Sequence, residues 1–225
     1  MMVADTRAPY YSQYRKVQNK KELHDITTWL MLIRSPWLAR IGYRSLTLLT
    51  KSVMASNVEI KAKVTDIEKL KHLAKEVSGQ PGELIEQEDT FFLCDHGRLK
   101  LRKFPNGQGE LIFYSRADQS GPKLSNYHIT KVTENTDDLI HTLDLAYGIR
   151  GVVKKKRYLY LVGQTRVHVD TVDGLGNFME LEVVMKKGQS CEEGQAIAED
   201  LMAKLEIAKA ELLTSAYIDM LQRKS

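Results

Sequence analysis

The sequence predicts an α+β chain built on a closed eight-stranded antiparallel β-barrel, with a charged lumen and helices outside it. Three observations lead there. Eight stretches alternate apolar with charged or polar residues, the period of a strand whose two faces differ. The charged faces are sorted by sign, with Lys and Arg on the middle strands and carboxylates on the first and last. The helices carry apolar stripes, which need the apolar strand faces to cover. An open, half-buried sheet would leave the charged faces in water. A barrel with its apolar side outward gathers them in one lumen.

The first strand is residues 58–64, where Glu59, Lys61 and Lys63 share one face and Val58, Ile60, Ala62 and Val64 the other. Residues 66–77 follow as a helix, with Ile67, Leu70, Leu73, Ala74 and Val77 at helical spacing, ended by Gly79 to Gly82. Residues 84–94, 98–104, 110–117 and 127–132 read as strands. A hairpin turn at Asn106-Gly107 joins the second and third of these. No Gly-Lys-Ser/Thr follows it, so the turn is not a phosphate loop. Arg98, Lys100 and Arg102 face one way and Leu99 and Leu101 the other, while Tyr114 and Arg116 share a face. Residues 137–147 form a second helix.

Residues 152–162, 165–172 and 178–185 complete the strands. Arg166, His168 and Asp170 lie opposite Val167 and Val169, and Glu180 and Glu182 lie opposite Leu181 and Val183. The parity of 153–157 is ambiguous; Lys155 and Arg157 are assigned to the charged face. Residues 191–221 are expected to be mostly helical.

The net charge of +4 hides a split. Residues 1–56 hold nine Lys/Arg against three Asp/Glu, which leaves 24 basic and 26 acidic residues for 57–225. The barrel region is therefore not a basic nucleic-acid-binding domain. The sequence divides into a basic N-terminal extension, 1–56, and a barrel domain, 57–225. The extension is hydroxyl-rich and poor in acid, and Pro36 interrupts any helix there. It admits three readings: a mitochondrial transit peptide, a surface-seeking amphipathic helix, or a dispensable stretch ahead of a second start at Met54. Every apolar run is broken by Arg or Lys, so no stable membrane span is expected. Cys94 and Cys191 give no zinc spacing and no redox pair, and suit a reducing compartment. The expected location is cytoplasmic, or mitochondrial if 1–56 acts as a transit peptide.

Converging ammonium and guanidinium groups repel one another unless an anion of high charge density joins them. A triphosphate offers many oxygens to bidentate Arg and point-charge Lys. Glu59, Glu180, Glu182 and Asp170 would repel that anion unless a divalent metal lay between, and carboxylate oxygens suit Mg²⁺ or Mn²⁺. His168 reads as a packed or hydrogen-bonded neighbour rather than a catalyst. Lys61 either contacts phosphate or balances a carboxylate. Tyr114 and Tyr127 read as core or rim packing.

Five segments carry a resemblance: Glu59-Ile60-Lys61-Ala62-Lys63, Gln87-Glu88-Asp89-Thr90-Phe91-Phe92, Arg98-Leu99-Lys100-Leu101-Arg102, Thr165-Arg166-Val167-His168-Val169-Asp170, and Gly174-Leu175-Gly176-Asn177-Phe178-Met179-Glu180-Leu181-Glu182. In this order the chain resembles, over residues 57–221, the CYTH family, also called triphosphate tunnel metalloenzymes. The family opens on Glu-x-Glu-x-Lys. Here Glu59 and Lys63 match and Lys61 replaces the second Glu, which removes a metal ligand and adds a cation.

The resemblance implies metal-dependent hydrolysis of inorganic tripolyphosphate or a small organic triphosphate, with Mg²⁺ or Mn²⁺ as cofactor. It implies catalytic roles for Glu59, Glu182 and Lys63, and metal ligation by Glu59, Asp170, Glu180 and Glu182. Substrate contacts fall to Lys61, Lys100, Arg102, Arg116, Lys155, Arg157 and Arg166. The family includes tripolyphosphatases, thiamine triphosphatases, RNA triphosphatases and class IV adenylyl cyclases, so the fold does not select the substrate. Two alternatives stand beside hydrolysis. One is a class IV adenylyl cyclase making cyclic AMP from ATP, for which no adenine pocket is visible in the sequence. The other is a non-catalytic polyphosphate binder. The retained carboxylates favour the hydrolase, because a pure anion binder gains nothing from them.

Overall fold

The structure, a computed structural model, describes residues 54–119 and 121–224. The expectations for residues 1–53 lie outside the described residues. Eight strands close into an antiparallel barrel: β1 (Ala55–Lys63), β2 (Glu83–Phe92), β3 (Arg98–Lys103), β4 (Gly109–Arg116), β5 (Lys123–Val132), β6 (Ile149–Val162), β7 (Thr165–Val172) and β8 (Gly176–Val184). Around the barrel the order is β1-β5-β4-β3-β2-β6-β7-β8, and β8 pairs back onto β1. Closure leaves no sheet edge, and it makes every inward side chain a neighbour of the others across one lumen.

Among the described residues, four helices flank the barrel: α1 (Ile67–Ser78), α2 (Thr136–Tyr147), α3 (Cys191–Lys204) and α4 (Tyr217–Gln222). The Asp66 carboxylate caps α1 by accepting from the Lys69 amide, and Gly79 ends it in the left-handed region at φ 68°. Ser190 and Glu193 form a reciprocal capping box on α3. The main core lies outside the barrel wall. Val58, Ile60 and Ala62 of β1, Val167 and Val169 of β7, and Met179, Leu181 and Val183 of β8 meet Leu70 and Ala74 of α1 and Ala198, Leu201 and Met202 of α3. Each fully buried aliphatic side chain contributes about 1.5–3 kcal/mol. The apolar half of each strand thus fixes which half faces in. On β6, Lys155 and Arg157 point inward, while Lys154 and Lys156 pair outside with Glu88 and Glu86.

The C-terminal segment, expected to be mostly helical, is broken between α3 and α4. α3 ends at Lys204, and Glu206 takes a positive φ of 55°. The chain then runs past β1, where Ala62 bridges Leu212 and the Leu213 amide donates to the Lys61 carbonyl. The buried Lys123 holds it there, donating from Nζ to the carbonyls of Leu213 at 3.1 Å and Thr214 at 3.4 Å. Asp219 of α4 is clamped by Arg98 at 3.0 Å and Arg150 at 2.6 Å. Tertiary contacts override the local helix preference. Their effect is to bring Ala216 and Tyr217 to the barrel lumen.

Candidate active site

The lumen encloses a cavity of about 340 Å³. Seven cationic side chains line it: Lys61, Lys100, Arg102, Arg116, Lys155, Arg157 and Arg166. Five carboxylates face them, Glu59, Asp89, Glu110, Glu180 and Glu182, so the lining carries two more positive than negative charges.

On one side the cations gather on Asp89, which is 1% exposed. Lys100 Nζ lies 2.8 Å from its Oδ2, Arg102 Nε 2.9 Å from its Oδ1, and Lys155 Nζ 3.5 Å from its Oδ2. Asp89 faces Arg102 across the β2–β3 ladder, so register makes that pair. Burial alone would raise the Asp89 pKa, but Arg102, Lys100 and Lys155 hold it well below the usual carboxylate range. Burial pulls Lys100 down to about 7 against the opposing field of Asp89.

On the other side, Glu59, Glu180 and Glu182 meet across the β1–β8 pair, where Glu59 faces Glu182 and Lys61 faces Glu180. Arg116 Nη1 is 2.6 Å from Glu59 Oε2. Arg166 takes Glu182 Oε2 with Nε at 2.8 Å and Nη2 at 2.7 Å. Glu180 is held at both oxygens, by Lys61 at Oε1 and by Arg157 Nη2 at Oε2, 2.6 Å. Lys61 also sits over the Tyr217 ring, 3.4 Å from its centre. Burial pushes the Glu59 pKa up, with Glu182 and Glu180 adding to the rise and Arg116 opposing it.

His168, 4% exposed, lies among these acids on β7, opposite Glu180 in register. Its Nδ1 has no hydrogen-bond partner among the described residues. That atom stands 3.8 Å from Glu182 Oε1 and 3.9 Å from Glu180 Oε2. Burial, with Arg157 beside it, draws the imidazole pKa down to about 3.

Two expected site residues lie elsewhere. Lys63 is on the inward parity of β1 but is its last residue, exposed and outside the cavity lining, because the strand has run past the lumen there. Asp170 is fully buried and does not line the cavity. Its cross-strand partner Arg157 takes both its oxygens at 2.6 Å, and the Tyr217 hydroxyl donates to Oδ2 at 3.0 Å. It positions Arg157 rather than facing the cavity.

Three residues that sequence reasoning did not single out shape the site: Asp89, Tyr217 and Lys123. Asp89 had a signal in its parity, sharing a strand face with Gln87 two residues before it and Phe91 two after. Tyr217 had none, because it reaches the lumen only through the path of the C-terminal segment, and Lys123, the first residue of β5, lay ahead of the strand read from residue 127.

The donor atoms can be tested for a divalent cation. Glu182 Oε1 is free of the arginine that holds Oε2, and His168 Nδ1 is orphaned beside it. His168, Glu180 and Glu182 offer ligand atoms within 4.8 Å of one another. A carboxylate–imidazole set of this size fits a first-row divalent ion.

A family model for the CYTH domain matches residues 55–217. The PH1012 protein of Pyrococcus horikoshii is 25% identical in a match covering 72% of this chain and 98% of its own, with a TM-score of 0.64. A conserved hypothetical protein of Pyrococcus furiosus is 22% identical over 72% and 98%, with a TM-score of 0.62. The PH1819 protein of Pyrococcus horikoshii is 20% identical over 75% and 99%, with a TM-score of 0.56. Among curated proteins nothing matches. No helix of the described residues is long and apolar enough to cross a membrane.

Proposed function

This chain belongs to the CYTH domain family, and on that premise we propose that its lumen binds a small triphosphate with a divalent cation and hydrolyses the terminal phosphoanhydride. One observation carries the reading: three cations gathered on Asp89 and a cluster of three glutamates paired with four further cations line a single 340 Å³ cavity. A triphosphate carries roughly four negative charges at neutral pH. The lining's excess of two positive charges does not balance it, and a divalent cation supplies the difference.

Lys100, Arg102 and Lys155 release Asp89 and take phosphate oxygens, and Arg116, Arg157 and Arg166 approach from the glutamate side. These fixed charges stabilise the charge that develops on the phosphoryl oxygens. Glu182 and Glu180 are the carboxylates placed to hold Mg²⁺ or Mn²⁺, Glu182 through its open Oε1 and Glu180 with its charge already shared by Lys61 and Arg157. When bound, the ion would neutralise phosphate charge and polarise the terminal phosphoryl group. Water attacks the terminal phosphorus in line, and the anhydride oxygen leaves with the diphosphate. The proton of that water passes to Glu59, whose raised pKa suits a proton acceptor. Asp170 acts by positioning Arg157, and Lys63 stands outside the cavity lining.

The test is a screen of purified protein with tripolyphosphate, ATP and thiamine triphosphate, with and without Mg²⁺ or Mn²⁺, measuring free phosphate and cyclic AMP. Metal-dependent phosphate release is expected. Cyclic AMP without phosphate would make the protein a cyclase, and tight binding without turnover would make it a polyphosphate binder. The same reading assigns the activity to 57–225 and not to the basic extension 1–56, so a chain starting at Met54 is expected to keep it.

A further inference from the structure

We propose that His168 is a nitrogen ligand of the divalent cation, completing a mixed carboxylate–imidazole site with Glu182 and Glu180 that favours Mn²⁺ over Mg²⁺. This rests on the metal-dependent reading above and adds a donor and a metal preference to it.

His168 is 4% exposed and its Nδ1 has no partner among the described residues. A buried polar atom without a partner is costly, and in a native protein it calls for an explanation such as a water or an ion. The atom is aimed at two carboxylates, 3.8 Å from Glu182 Oε1 and 3.9 Å from Glu180 Oε2. Those separations are too long for hydrogen bonds. They match two donors sharing one cation, since ligands at about 2.0–2.2 Å from a metal stand about 3–4 Å apart.

The neighbours hold the donors in place. Arg166 grips Glu182 by Oε2 and leaves Oε1 toward the imidazole. Lys61 and Arg157 fix Glu180 and neutralise much of its charge. Such outer contacts orient metal ligands. With Glu180 so compensated, the site is less anionic than a cluster of free carboxylates, and one of its donors is nitrogen. Mg²⁺ prefers an all-oxygen shell, whereas Mn²⁺ binds more tightly wherever nitrogen contributes.

The test loads the full-length protein with Mn²⁺ in the absence of substrate and reads nitrogen couplings by pulsed electron paramagnetic resonance. Unlabelled protein is compared with protein carrying isotopically labelled histidine. A directly bound imidazole nitrogen is expected in the wild type and should vanish in His168→Gln. That variant should bind Mn²⁺ at least about tenfold more weakly while its Mg²⁺ affinity changes less than about threefold. The wild-type spectrum decides the point even if the variant folds poorly. Bound Mn²⁺ with no histidine nitrogen, or a coupling that survives in His168→Gln, overturns the ligand assignment and leaves the metal reading intact. A wild-type protein that binds no Mn²⁺ overturns both.

Discussion

Asp89, buried, and Glu182, partly buried, are both carboxylates on inward strand faces, yet their surroundings differ in kind. Asp89 is saturated: Lys100, Arg102 and Lys155 converge on its two oxygens. Glu182 is half-used, with Arg166 on Oε2 and the orphaned His168 near Oε1 among the described residues. A saturated carboxylate is a placeholder, keeping three cations together until phosphate displaces it. A half-used one has an oxygen to offer a cation. The two walls of one lumen thus store opposite capacities, and the sign of the charge alone does not distinguish them. What distinguishes them is how many partners each oxygen already has.

The sharpest way to break the comparison is Glu182→Gln. The amide keeps the shape and can still accept from Arg166, but it loses the charge that would hold a metal. Metal-assisted catalysis contributes several kcal/mol, so turnover of tripolyphosphate should fall on the order of a thousandfold. Raising Mn²⁺ should restore part of it. If the variant keeps wild-type turnover and metal dependence, Glu182 is as passive as Asp89.

The matching change on the other wall is Asp89→Asn. Breaking a buried pair costs about 3–5 kcal/mol, because it leaves uncompensated charge. Chemical denaturation without anion should show a loss near the lower end, since a polar amide remains. Tripolyphosphate should then stabilise the variant more than the wild type, because the three cations no longer have a competing carboxylate. Equal stabilisation of the two proteins would refute the placeholder role.

The barrel and most of its inward charges were legible in the sequence, whereas the role of Asp89 was not, and that has a physical cause. Period-two alternation set which side chains point inward, so Glu59, Lys100, Arg102, Arg166 and Glu182 could be grouped, and the barrel with them. Alternation does not reveal register between strands distant in sequence, which decides that Lys61 meets Glu180 and Asp89 meets Arg102. Nor does it say where a strand leaves the lumen, which is why Lys63 was grouped with its neighbours. Residues 205–216 look helical by composition, and the pairing of Leu212 and Leu213 with β1 appears only once the barrel exists. Tyr217 was hidden for the same reason.

Arg102→Ala probes the cation wall more gently. Removing one charge-assisted contact costs about 1.5–3 kcal/mol, roughly ten- to a hundredfold in kcat/KM. Lys100 and Lys155 still hold Asp89, so the fold should survive. Added metal should not rescue this variant, unlike Glu182→Gln. Rescue by metal would mean that the two walls are not functionally separate.

The smallest effect is the most specific, and it belongs to Lys100. Burial brings its pKa to about 7. An arriving anion favours the charged form, so binding above pH 7 must take up a proton. In the presence of a chelator, the affinity for tripolyphosphate should weaken on the order of tenfold per pH unit just above 7, until the pKa of the bound state is reached. Stability should move the other way. The folded pKa lies below the ordinary lysine value of 10.5, so between about 7 and 10.5 the unfolded chain binds more protons and this group's contribution to stability rises with pH. The anion's own ionisation strengthens binding as pH rises, so the readout is a difference between proteins. Lys100→Arg keeps its charge throughout and should lose the proton uptake while still binding. Calorimetry in two buffers of unlike ionisation enthalpy counts the proton directly. The same uptake in Lys100→Arg would place the titrating group elsewhere and remove Lys100 as the pH-sensitive member of the Asp89 wall.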